Sequence, residues 1–490
     1  MKNTISLWWN IMFCLLLIGF SGCKGDDEGV ASVPHNPNAP VTITGFTPES
    51  GGAKTQMVIY GSNFGNDTTI VDVKVGGKDA VLISVKNDCL YCFTPKQAGG
   101  KVEVKIGESE PAVSEKEFTY EYKMMVSTLC GYVDELGQGS ILNEGSFDEL
   151  EKIPVMIWLS LDPKNNDMLY LTQDPQAQPL KEFDLKNRYM KSLYTGKVPV
   201  TRCYTIDWEA NGDNMIVATP YGEDKKETVG VSMFKRDEGF SKPHYLAYMP
   251  KCHTLVVDKL DGKVYYSDYT KGELRSYDYN KYGMGNNYDA NEEDPDGENQ
   301  DMVFKFADGA AVRFMVCHPE GQYMYLLDNA RSTILRSDYD AENKTFTAPY
   351  VVCGGNGAGY EDRIGVQAKL NQPVQGVFVK NKEYAGRDDE YDFYFCDSQN
   401  HCIRILSPDG IVSTFAGRGS KSMAGVRGYV DGDLREDARF NTPYGIAYDE
   451  VRQTFYVADR GNNRIRKIAY EDGYYEQQES ETENEENTNQ

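Results

Sequence analysis

The chain has 490 residues, which is enough for more than one domain, and a formal net charge of −24 at pH 7. Because phosphate binding relies on clustered Lys and Arg, this charge argues against a nucleic-acid partner. Part of the acid is local: residues 476–490 are almost all Glu, Asn, Gln, Ser and Thr, so this tail is predicted to be disordered. Residues 283–300 are predicted to be a second solvated segment of the same kind.

The first 22 residues have the layout of an export signal. Lys2 precedes an apolar run from Ile11 to Phe20, and Ser21-Gly22-Cys23 follows. The run is shorter than the roughly 20 apolar residues of a membrane-spanning helix, so we expect cleavage. The motif resembles the lipobox of bacterial lipoproteins, which implies that residues 1–22 are removed and that the thiol of Cys23 takes the lipid. An ordinary secretory signal with an incidental cysteine is the alternative.

Residues 23–40 are predicted to be a lipidated tether. Acidic residues directly after the anchor, at positions 26–28, are similar to the tags that direct some lipoproteins to the outer face of the outer membrane. The three prolines between Gly29 and Pro40 favour an extended chain. We therefore expect an outer-membrane lipoprotein that faces the cell exterior.

Short alternating runs broken by Gly, Pro and Asn-Asp clusters predict an antiparallel β-sandwich over residues 41–121. The motifs are Ile43-Thr44-Gly45-Phe46-Thr47-Pro48, Ile59-Tyr60-Gly61-Ser62-Asn63-Phe64-Gly65, Val75-Gly76-Gly77, Phe93-Thr94-Pro95 and Phe118-Thr119-Tyr120. Together they resemble the immunoglobulin-like IPT/TIG domain, which implies a spacer.

Internal repeats dominate residues 122–475. The run Phe455-Tyr456-Val457-Ala458-Asp459, followed by Arg464-Ile465-Arg466, recurs as Tyr394-Phe395-Cys396-Asp397 with Ile403-Arg404-Ile405. Weaker copies end at Asp328 and Asp268. Each unit is a strand, a turn beginning at Asp and a second strand. A further element, Phe440-Asn441-Thr442-Pro443, matches Leu370-Asn371-Gln372-Pro373. These repeats resemble the NHL family, which implies an all-β chain: a TIG sandwich followed by a six-bladed NHL-type β-propeller.

The repeats also predict how the ring closes. Six hairpins are predicted to start near Val155, Cys203, Leu246, Phe314, Gln375 and Tyr444. The outer strand Val412-Ser413-Thr414-Phe415-Ala416-Gly417 is nearly repeated as Val126-Ser127-Thr128-Leu129-Cys130-Gly131. The last hairpin has no such strand after it, so the early copy is predicted to pair with the hairpin that ends at Ile468 and to remove two sheet edges.

Nine cysteines remain beside Cys14 and Cys23, so they cannot all pair within one chain. Cys396 and Cys402 flank a predicted turn and form the candidate disulfide. Cys130 and Cys353 occupy the position of Ala416 in the repeat, where a small residue is needed. Cys89 and Cys92 are three residues apart in a strand, so they should point to opposite faces.

Aligning the units places one residue of each first strand at the same level of the channel. The set is Ile157, Tyr204, Tyr245, Arg313, Gln375 and Tyr444. Aromatic rings stack on the C–H surfaces of sugars, and polar groups bind hydroxyls. The polar and aromatic members, Tyr204, Tyr245, Arg313, Gln375 and Tyr444, are therefore predicted to bind a carbohydrate at one mouth. A plug that merely fills the channel is the structural alternative.

Other candidate residues favour structural roles. Trp158 and Trp208 are predicted to pack on innermost strands. The repeated carboxylates Asp268, Asp328, Asp397 and Asp459 precede tight turns, where bonds to backbone N–H groups explain them better than catalysis does. Metal-dependent propeller lyases use histidines that converge on the channel. Here His244 and His318 are predicted at opposite ends, so we predict no catalytic residues, metal or cofactor.

Lipoproteins that combine a TIG spacer with an NHL propeller resemble accessory proteins of outer-membrane glycan-uptake systems. The resemblance implies a polysaccharide or oligosaccharide ligand and a neighbouring glycan transporter. A protein-interaction scaffold and a metal-dependent propeller lyase or hydrolase are the alternatives. An apolar face indifferent to sugars would favour the scaffold, and turnover abolished by chelation would favour the enzyme.

Overall fold

A computed structural model describes residues 33–132, 138–174, 178–196, 200–220, 230–249, 251–283, 299–306, 313–418 and 426–472. The predicted signal, Cys23 and the acidic tail lie outside these ranges, as does most of segment 283–300. The chain divides into two compact units, with the boundary between Tyr122 and Lys123.

The first unit is a sandwich of two sheets. One sheet has the order β1-β3-β7-β6 and the other β2-β9-β8-β4-β5. Its strands are β1 (Thr42–Thr47), β2 (Ser50–Gly51), β3 (Gln56–Ser62), β4 (Val71–Val75), β5 (Lys78–Asp79), β6 (Val81–Lys86), β7 (Cys89–Phe93), β8 (Gly100–Ile106) and β9 (Ala112–Tyr120), with a 3-10 turn at Thr68–Ile70. Alternate residues of β4 and β8 are buried between the sheets, as the period-2 pattern predicts.

The last part of the predicted tether packs on this sandwich. Asn63 Nδ2 donates to the carbonyls of Asn36 and Ala39 at 3.0 and 2.7 Å, and Asn63 Oδ1 accepts from the N–H of Asn36 at 2.8 Å. His35 Nδ1 lies 2.9 Å from the Asn63 carbonyl. The end of the predicted tether is therefore held against the sandwich by the side chain of one Asn.

The second unit is the predicted propeller, with six sheets in the described residues. Blade 1 contains β11 (Glu144–Ser146), β12 (Met156–Asp162), β13 (Asn165–Gln173), β14 (Leu180–Asp184) and β15 (Tyr189–Tyr194). Blade 2 contains β16 (Ile206–Trp208), β17 (Met215–Ala218), β18 (Val231–Phe234) and β19 (Pro243–Ala247). Blade 3 contains β20 (Cys252–Val257), β21 (Val264–Asp268), β22 (Glu273–Tyr277) and β23 (Gln300–Lys305).

Blade 4 contains β24 (Arg313–Cys317), β25 (Tyr323–Asp328), β26 (Thr333–Asp340), β27 (Thr345–Phe346) and β28 (Tyr350–Gly354). Blade 5 contains β29 (Pro373–Lys380), β30 (Tyr391–Asp397), β31 (Cys402–Leu406) and β32 (Val412–Gly417). Blade 6 contains β33 (Gly432–Asp433), β34 (Pro443–Asp449), β35 (Thr454–Asp459) and β36 (Arg464–Tyr470), and is completed by β10 (Met124–Cys130). The one α-helix in the described residues, α1, spans Tyr279–Tyr282; 3-10 turns of this unit lie at Arg236–Glu238, Gly365–Gln367, Lys382–Tyr384, Ser398–Asn400 and Arg460–Asn462.

The predicted ring closure is confirmed. Strand β10 pairs antiparallel with β36, so that Ser127 faces Lys467 and Cys130 faces Ile465. The equivalent Ala416 faces Ile403 in blade 5, and Cys353 faces Ile334 in blade 4. The prediction that these three residues occupy equivalent positions is therefore confirmed, and their small side chains are fully buried.

Blades 5 and 6 each contain a buried ion network, and equivalent residues of the repeat form it in both blades. Arg404 Nη1 donates to Asp397 at 2.8 Å, and its Nη2 donates to Asp362 at 2.6 Å. Asp362 also accepts from the N–H and hydroxyl of Thr414 at 3.1 and 2.9 Å. In this network the arginine ties the inner hairpin of the blade to its outer strand.

Blade 6 repeats these contacts. Arg466 contacts Asp459 at 2.8 Å and Asp431 at 2.5 Å. Thr128 of β10 takes the place of Thr414 and donates to Asp431 at 3.1 and 3.3 Å. The closing strand therefore reproduces the polar contacts of blade 5 as well as its backbone pairing.

Two sequence predictions are corrected by this architecture. Leu246 does not start a blade, because it lies on the outer strand β19 and blade 3 begins at Cys252. Cys396 and Cys402 do not form a disulfide. Cys396 faces Ile403, so Cys402 is one residue out of register and points to the other face of the sheet. Burial of Cys92 but not of Cys89 confirms their predicted opposite orientation.

Candidate functional site: the two mouths of the propeller channel

The channel is lined by the first strand of each blade: β12, β16, β20, β24, β29 and β34. We call the end where these strands begin the upper mouth and the end where they finish the lower mouth. The loops that enter the blades and the turns between the second and third strands lie at the upper mouth. Trp158 and Trp208 lie on first strands and are buried, as predicted.

Aromatic side chains close the upper end of the channel, and we call them the aromatic plug: Trp158, Tyr204, His253, Phe314 and Tyr444. Phe314 is central, with its ring centroid 6.0 Å from those of Trp158 and Tyr444 and 6.3 Å from that of His253. His253 and Tyr204 meet edge to face at 4.2 Å. Two predicted site residues, Tyr204 and Tyr444, are thus brought together, although Tyr204 is only 8% exposed.

His253 is the plug residue with an unsatisfied polar atom. Its Nδ1 is buried without a hydrogen-bond partner among the described residues. Burial lowers the pKa of His253 to about 4, and the positive charge of Arg202 acts in the same direction. The imidazole is therefore neutral at pH 7 and has one ring nitrogen to offer to a ligand.

Charged and aromatic groups form a rim around the plug. Arg202 Nε lies 3.3 Å from Asp174 Oδ1, and the other oxygen of Asp174 accepts the hydroxyl proton of Tyr204. The guanidinium of Arg460 lies 4.5 Å from the ring centroid of Tyr444. Tyr269 contacts His253 with ring centroids 4.7 Å apart. Three blade turns and one entry loop therefore contribute to a single rim.

Gln375 lies inside the channel, and its side-chain amide is hydrogen-bonded to backbone groups. Its Oε1 accepts from the N–H groups of Leu159 at 3.0 Å and Ile446 at 3.2 Å, and its Nε2 donates to the Leu159 carbonyl at 2.6 Å. The amide joins the first strands of blades 5, 6 and 1. Its position on the channel was predicted, but these bonds favour a structural role. Ile157, at the same predicted level, is buried in the core.

Arg313 is also engaged by neighbouring groups. Its Nε lies 3.0 Å from Asp328, and its guanidinium lies 3.8 Å from the centroid of Phe306. The side chain is buried, with 2% exposure. Arg313 therefore holds the start of blade 4 to its turn, and a ligand would have to displace these contacts.

The prediction that Tyr245 lies on a first strand is wrong. Tyr245 belongs to β19, the outer strand of blade 2, and pairs with Ser232. His244 lies beside it, with Nε2 2.7 Å from Glu238. Strands β19 and β20 are two apolar runs separated by a tight turn. Because their sequence patterns are alike, the sequence does not show which of them is the first strand of a blade.

The lower mouth opens into a cavity of about 260 Å³. Most of its lining side chains are apolar, but polar atoms contribute about half of the lining surface, and Gln375 is among the lining residues. The polar groups there are engaged: Ser160 Oγ accepts from Trp208 Nε1 at 2.9 Å, and Asp207 contacts Lys259 at 3.3 Å. The cavity is smaller than the ~300–1,000 Å³ of typical ligand pockets.

The repeated carboxylates hold turns. Asp268 accepts from the backbone N–H groups of Thr270, Lys271 and Gly272. In blades 5 and 6, Asp397 and Asp459 instead accept the N–H of the Asn that begins the Asn-Xaa-Pro loop, at 2.7 Å in each case. Burial raises the pKa of each of these two carboxyls to about 6, against the opposing effect of the paired arginine. The contacts of these carboxylates thus support the prediction that they have a structural role and not a catalytic one.

Within the described ranges, no three His, Cys, Asp or Glu side chains are grouped to hold a metal ion. His318 is buried near the lower mouth, with Nε2 3.5 Å from Asp389, while His253 is at the upper mouth. None of the described helices is long and apolar enough to cross a membrane.

Comparison with known proteins identifies both units. The IPT/TIG domain family matches residues 40–122. NHL repeat-containing protein 2 of Bos taurus is 32% identical over 111 residues, which is 22% of this chain and 13% of that protein. The human protein of the same name is 27% identical over the same length. The chain thus matches only a small part of these curated relatives.

Solved structures match over most of the chain. An auxiliary nutrient binding protein of Bacteroides thetaiotaomicron is 36% identical, with a TM-score of 0.79, and 90% of this chain covers 100% of that one. One of the same description from Bacteroides ovatus is 34% identical, with a TM-score of 0.68 and the same coverage. Another B. thetaiotaomicron structure, named as a phosphatase, is 36% identical with a TM-score of 0.77, covering 90% of this chain and 99% of that one.

Proposed function

Because this chain belongs to the family of bacterial proteins that join an IPT/TIG domain to an NHL-type propeller, we propose that it binds an oligosaccharide or polysaccharide at its upper mouth. Two relatives in this family are named as nutrient binding proteins, which supports a binding role. The observation that carries the proposal is the rim, where Tyr269 and Tyr444 lie beside Arg202, Asp174 and Arg460.

This rim has the chemistry that sugars require. Aromatic faces stack on the apolar C–H surface of a sugar ring, and charged side chains bind its hydroxyls. The unsatisfied Nδ1 of His253 adds a hydrogen-bonding group next to Tyr204. The small lower cavity cannot enclose a chain of sugar units, so the upper mouth is the better candidate.

The binding test is calorimetric titration of the purified full chain with oligosaccharides derived from starch, mannan, xylan and pectin. In the double variant Tyr269→Ala/Tyr444→Ala, we expect affinity for the best ligand to fall roughly tenfold or more, since each stacked ring contributes about 0.5–1.5 kcal/mol. Tyr245→Ala is the matched control, because that tyrosine is on an outer strand. We expect it to retain affinity within a factor of two.

Three results would contradict the proposal. The first is a complete panel without binding, and the second is equal affinity in the double variant despite an unchanged thermal midpoint. The third is turnover of a phosphate ester by the wild-type chain without glycan binding, which would favour the activity for which one relative is named. Capture of a protein partner by a glycan-indifferent chain would favour the scaffold alternative.

We further propose that a lipid on Cys23 anchors the protein to the outer membrane, facing outward, and that the propeller presents the glycan to a neighbouring transporter. Cells supplied with labelled palmitate should label the wild-type chain but not Cys23→Ala. External protease should digest the wild-type protein on intact cells. A label that persists in Cys23→Ala, or a protein protected until the cells are broken, would contradict the anchor or the orientation, respectively.

A further inference from the structure

Arginines surround the upper mouth although the whole chain has a net charge of −24. Arg202 precedes β16 and Arg460 lies in the turn after β35. Arg418 follows β32, and Arg427 lies in the loop that leads into β34. The four residues come from the entry loops and turns of blades 2, 5 and 6.

These arginines have few acidic partners. Arg202 pairs with Asp174 at 3.3 Å, but among the described residues no carboxylate lies within ion-pair distance of Arg418, Arg427 or Arg460. Arg460 lies over the ring of Tyr444, and Arg418 lies 3.7 Å from the centroid of Tyr360. Arg418 Nη1 also donates to the Asn400 carbonyl at 3.1 Å. For Arg460, stacking on the aromatic face leaves the N–H edge of the guanidinium available to bind an anion.

His401 links Arg418 and Arg427 to the mouth. Its Nδ1 accepts from the N–H of Thr442 at 3.0 Å, two residues before Tyr444. Burial lowers the pKa of His401, and the charges of Arg427 and Arg418 lower it further. Through His401, both arginines are therefore connected to the segment that carries Tyr444.

Several other arginines of the propeller are paired with neighbouring carboxylates. Arg404 and Arg466 are buried, and each contacts two Asp residues. A side groove between blades 6 and 1 contains Arg188, which lies 2.8 Å from Asp148, and Arg452, which lies 2.9 Å from Asp449. At the upper mouth, by contrast, three arginines have no carboxylate partner among the described residues, and two of them lie against partly exposed aromatic rings.

We propose that the glycan held at the upper mouth is anionic, bearing carboxylate or sulfate groups, and that Arg460 and Arg202 bind these groups. This inference rests on the proposed function. Carboxylate and sulfate each offer a pair of oxygens that the planar guanidinium can bind with two parallel N–H donors. A ligand carboxylate would also supply the partner that the mouth lacks.

The test compares matched ligands by calorimetric titration of the full chain. The probes are tetragalacturonate, the same tetrasaccharide with its carboxyl groups reduced to alcohols, and a sulfated tetrasaccharide. We expect at least one acidic probe to bind tenfold or more tighter than the neutral one, and its affinity to fall as NaCl is raised. In Arg460→Gln we expect the ratio of acidic to neutral affinity to fall about tenfold.

Arg188→Gln is the matched control, since it removes an arginine from the side groove. Tighter binding of the sulfated probe than of the uronate would support the inference and identify sulfate as the group bound. Equal binding of acidic and neutral probes would overturn the inference and leave the proposed function intact. Loss of acidic binding in Arg188→Gln, but not in Arg460→Gln, would overturn it in favour of the groove. Failure of every probe and of the neutral panel would overturn both proposals.

Discussion

The two ends of the propeller channel differ in what their side chains have left to offer a ligand. At the lower mouth, Ser160 and Asp207 are engaged by Trp208 and Lys259 around a small cavity. At the upper mouth, within the part of the chain that the structure describes, His253 has an unsatisfied nitrogen and Arg460 lies against an aromatic ring without a carboxylate partner. The difference indicates that the lower end serves the packing of the ring, whereas the upper end combines packing with recognition.

Gln375 separates the two ends, and its loss should have the largest effect on stability. Gln375→Ala would leave three buried backbone groups, on Leu159 and Ile446, without partners. At about 1 kcal/mol or more for each group, we expect the free energy of unfolding in urea to fall by about 3 kcal/mol. The control is Gln322→Ala, whose side chain is exposed and whose loss should change stability by less than about 0.5 kcal/mol. Equal stability of the two variants would show that the hydrogen bonds of Gln375 contribute little to stability.

The pH dependence of stability should show the lowered pKa of His253, which lies at the upper end. Because the folded pKa is lowered to about 4 from 6.5, the unfolded chain binds more protons between these values, and stability is lost as pH falls. We expect His253 to account for about 2 kcal/mol of lost stability between pH 7.5 and pH 5. His253→Gln should lose correspondingly less over that range in urea titrations. Parallel pH profiles for the two proteins would contradict the buried neutral imidazole.

A smaller change is expected at the lower mouth. Ser160→Ala removes the hydroxyl that accepts from Trp208 Nε1, so the free energy of unfolding should fall by about 1 kcal/mol. Glycan affinity should remain within twofold of wild type, because no ligand contact is lost. Denaturation and calorimetric titration of the same variant check both expectations. A large loss of affinity with little loss of stability would move the binding site to the lower end.

The fold could be predicted where sequence repeats and structural contacts coincide. In blades 5 and 6, the spacing of Asp397 and Arg404 is the spacing of Asp459 and Arg466, because each pair forms the same buried ion contact. The near repeat of the segment at Thr414 by that at Thr128 revealed the closing strand for the same reason. The described residues of blades 2 and 3 do not form this network, and the sequence did not predict the start of blade 3 correctly.

The site was predicted only in part. Tyr204 and Tyr444 lie at the upper mouth, but Asp174, Arg202, His253 and Tyr269 come from three different blades and share no motif. One signal was available: Tyr269 and Arg460 each follow the repeated Asp of their blade, the residue that begins the upper turn. The hydrogen bonds of Gln375 could not be predicted, since they join strands more than 70 residues apart across a closed ring.

The most direct test of binding at the upper mouth is hydroxyl-radical footprinting of the full chain with its tightest-binding oligosaccharide. The ligand should protect Tyr269 and Tyr444 and leave Tyr448, on the wall of the lower cavity, unchanged. Protection of Tyr448 alone, with Tyr269 and Tyr444 oxidised as fast as in the free protein, would contradict the account.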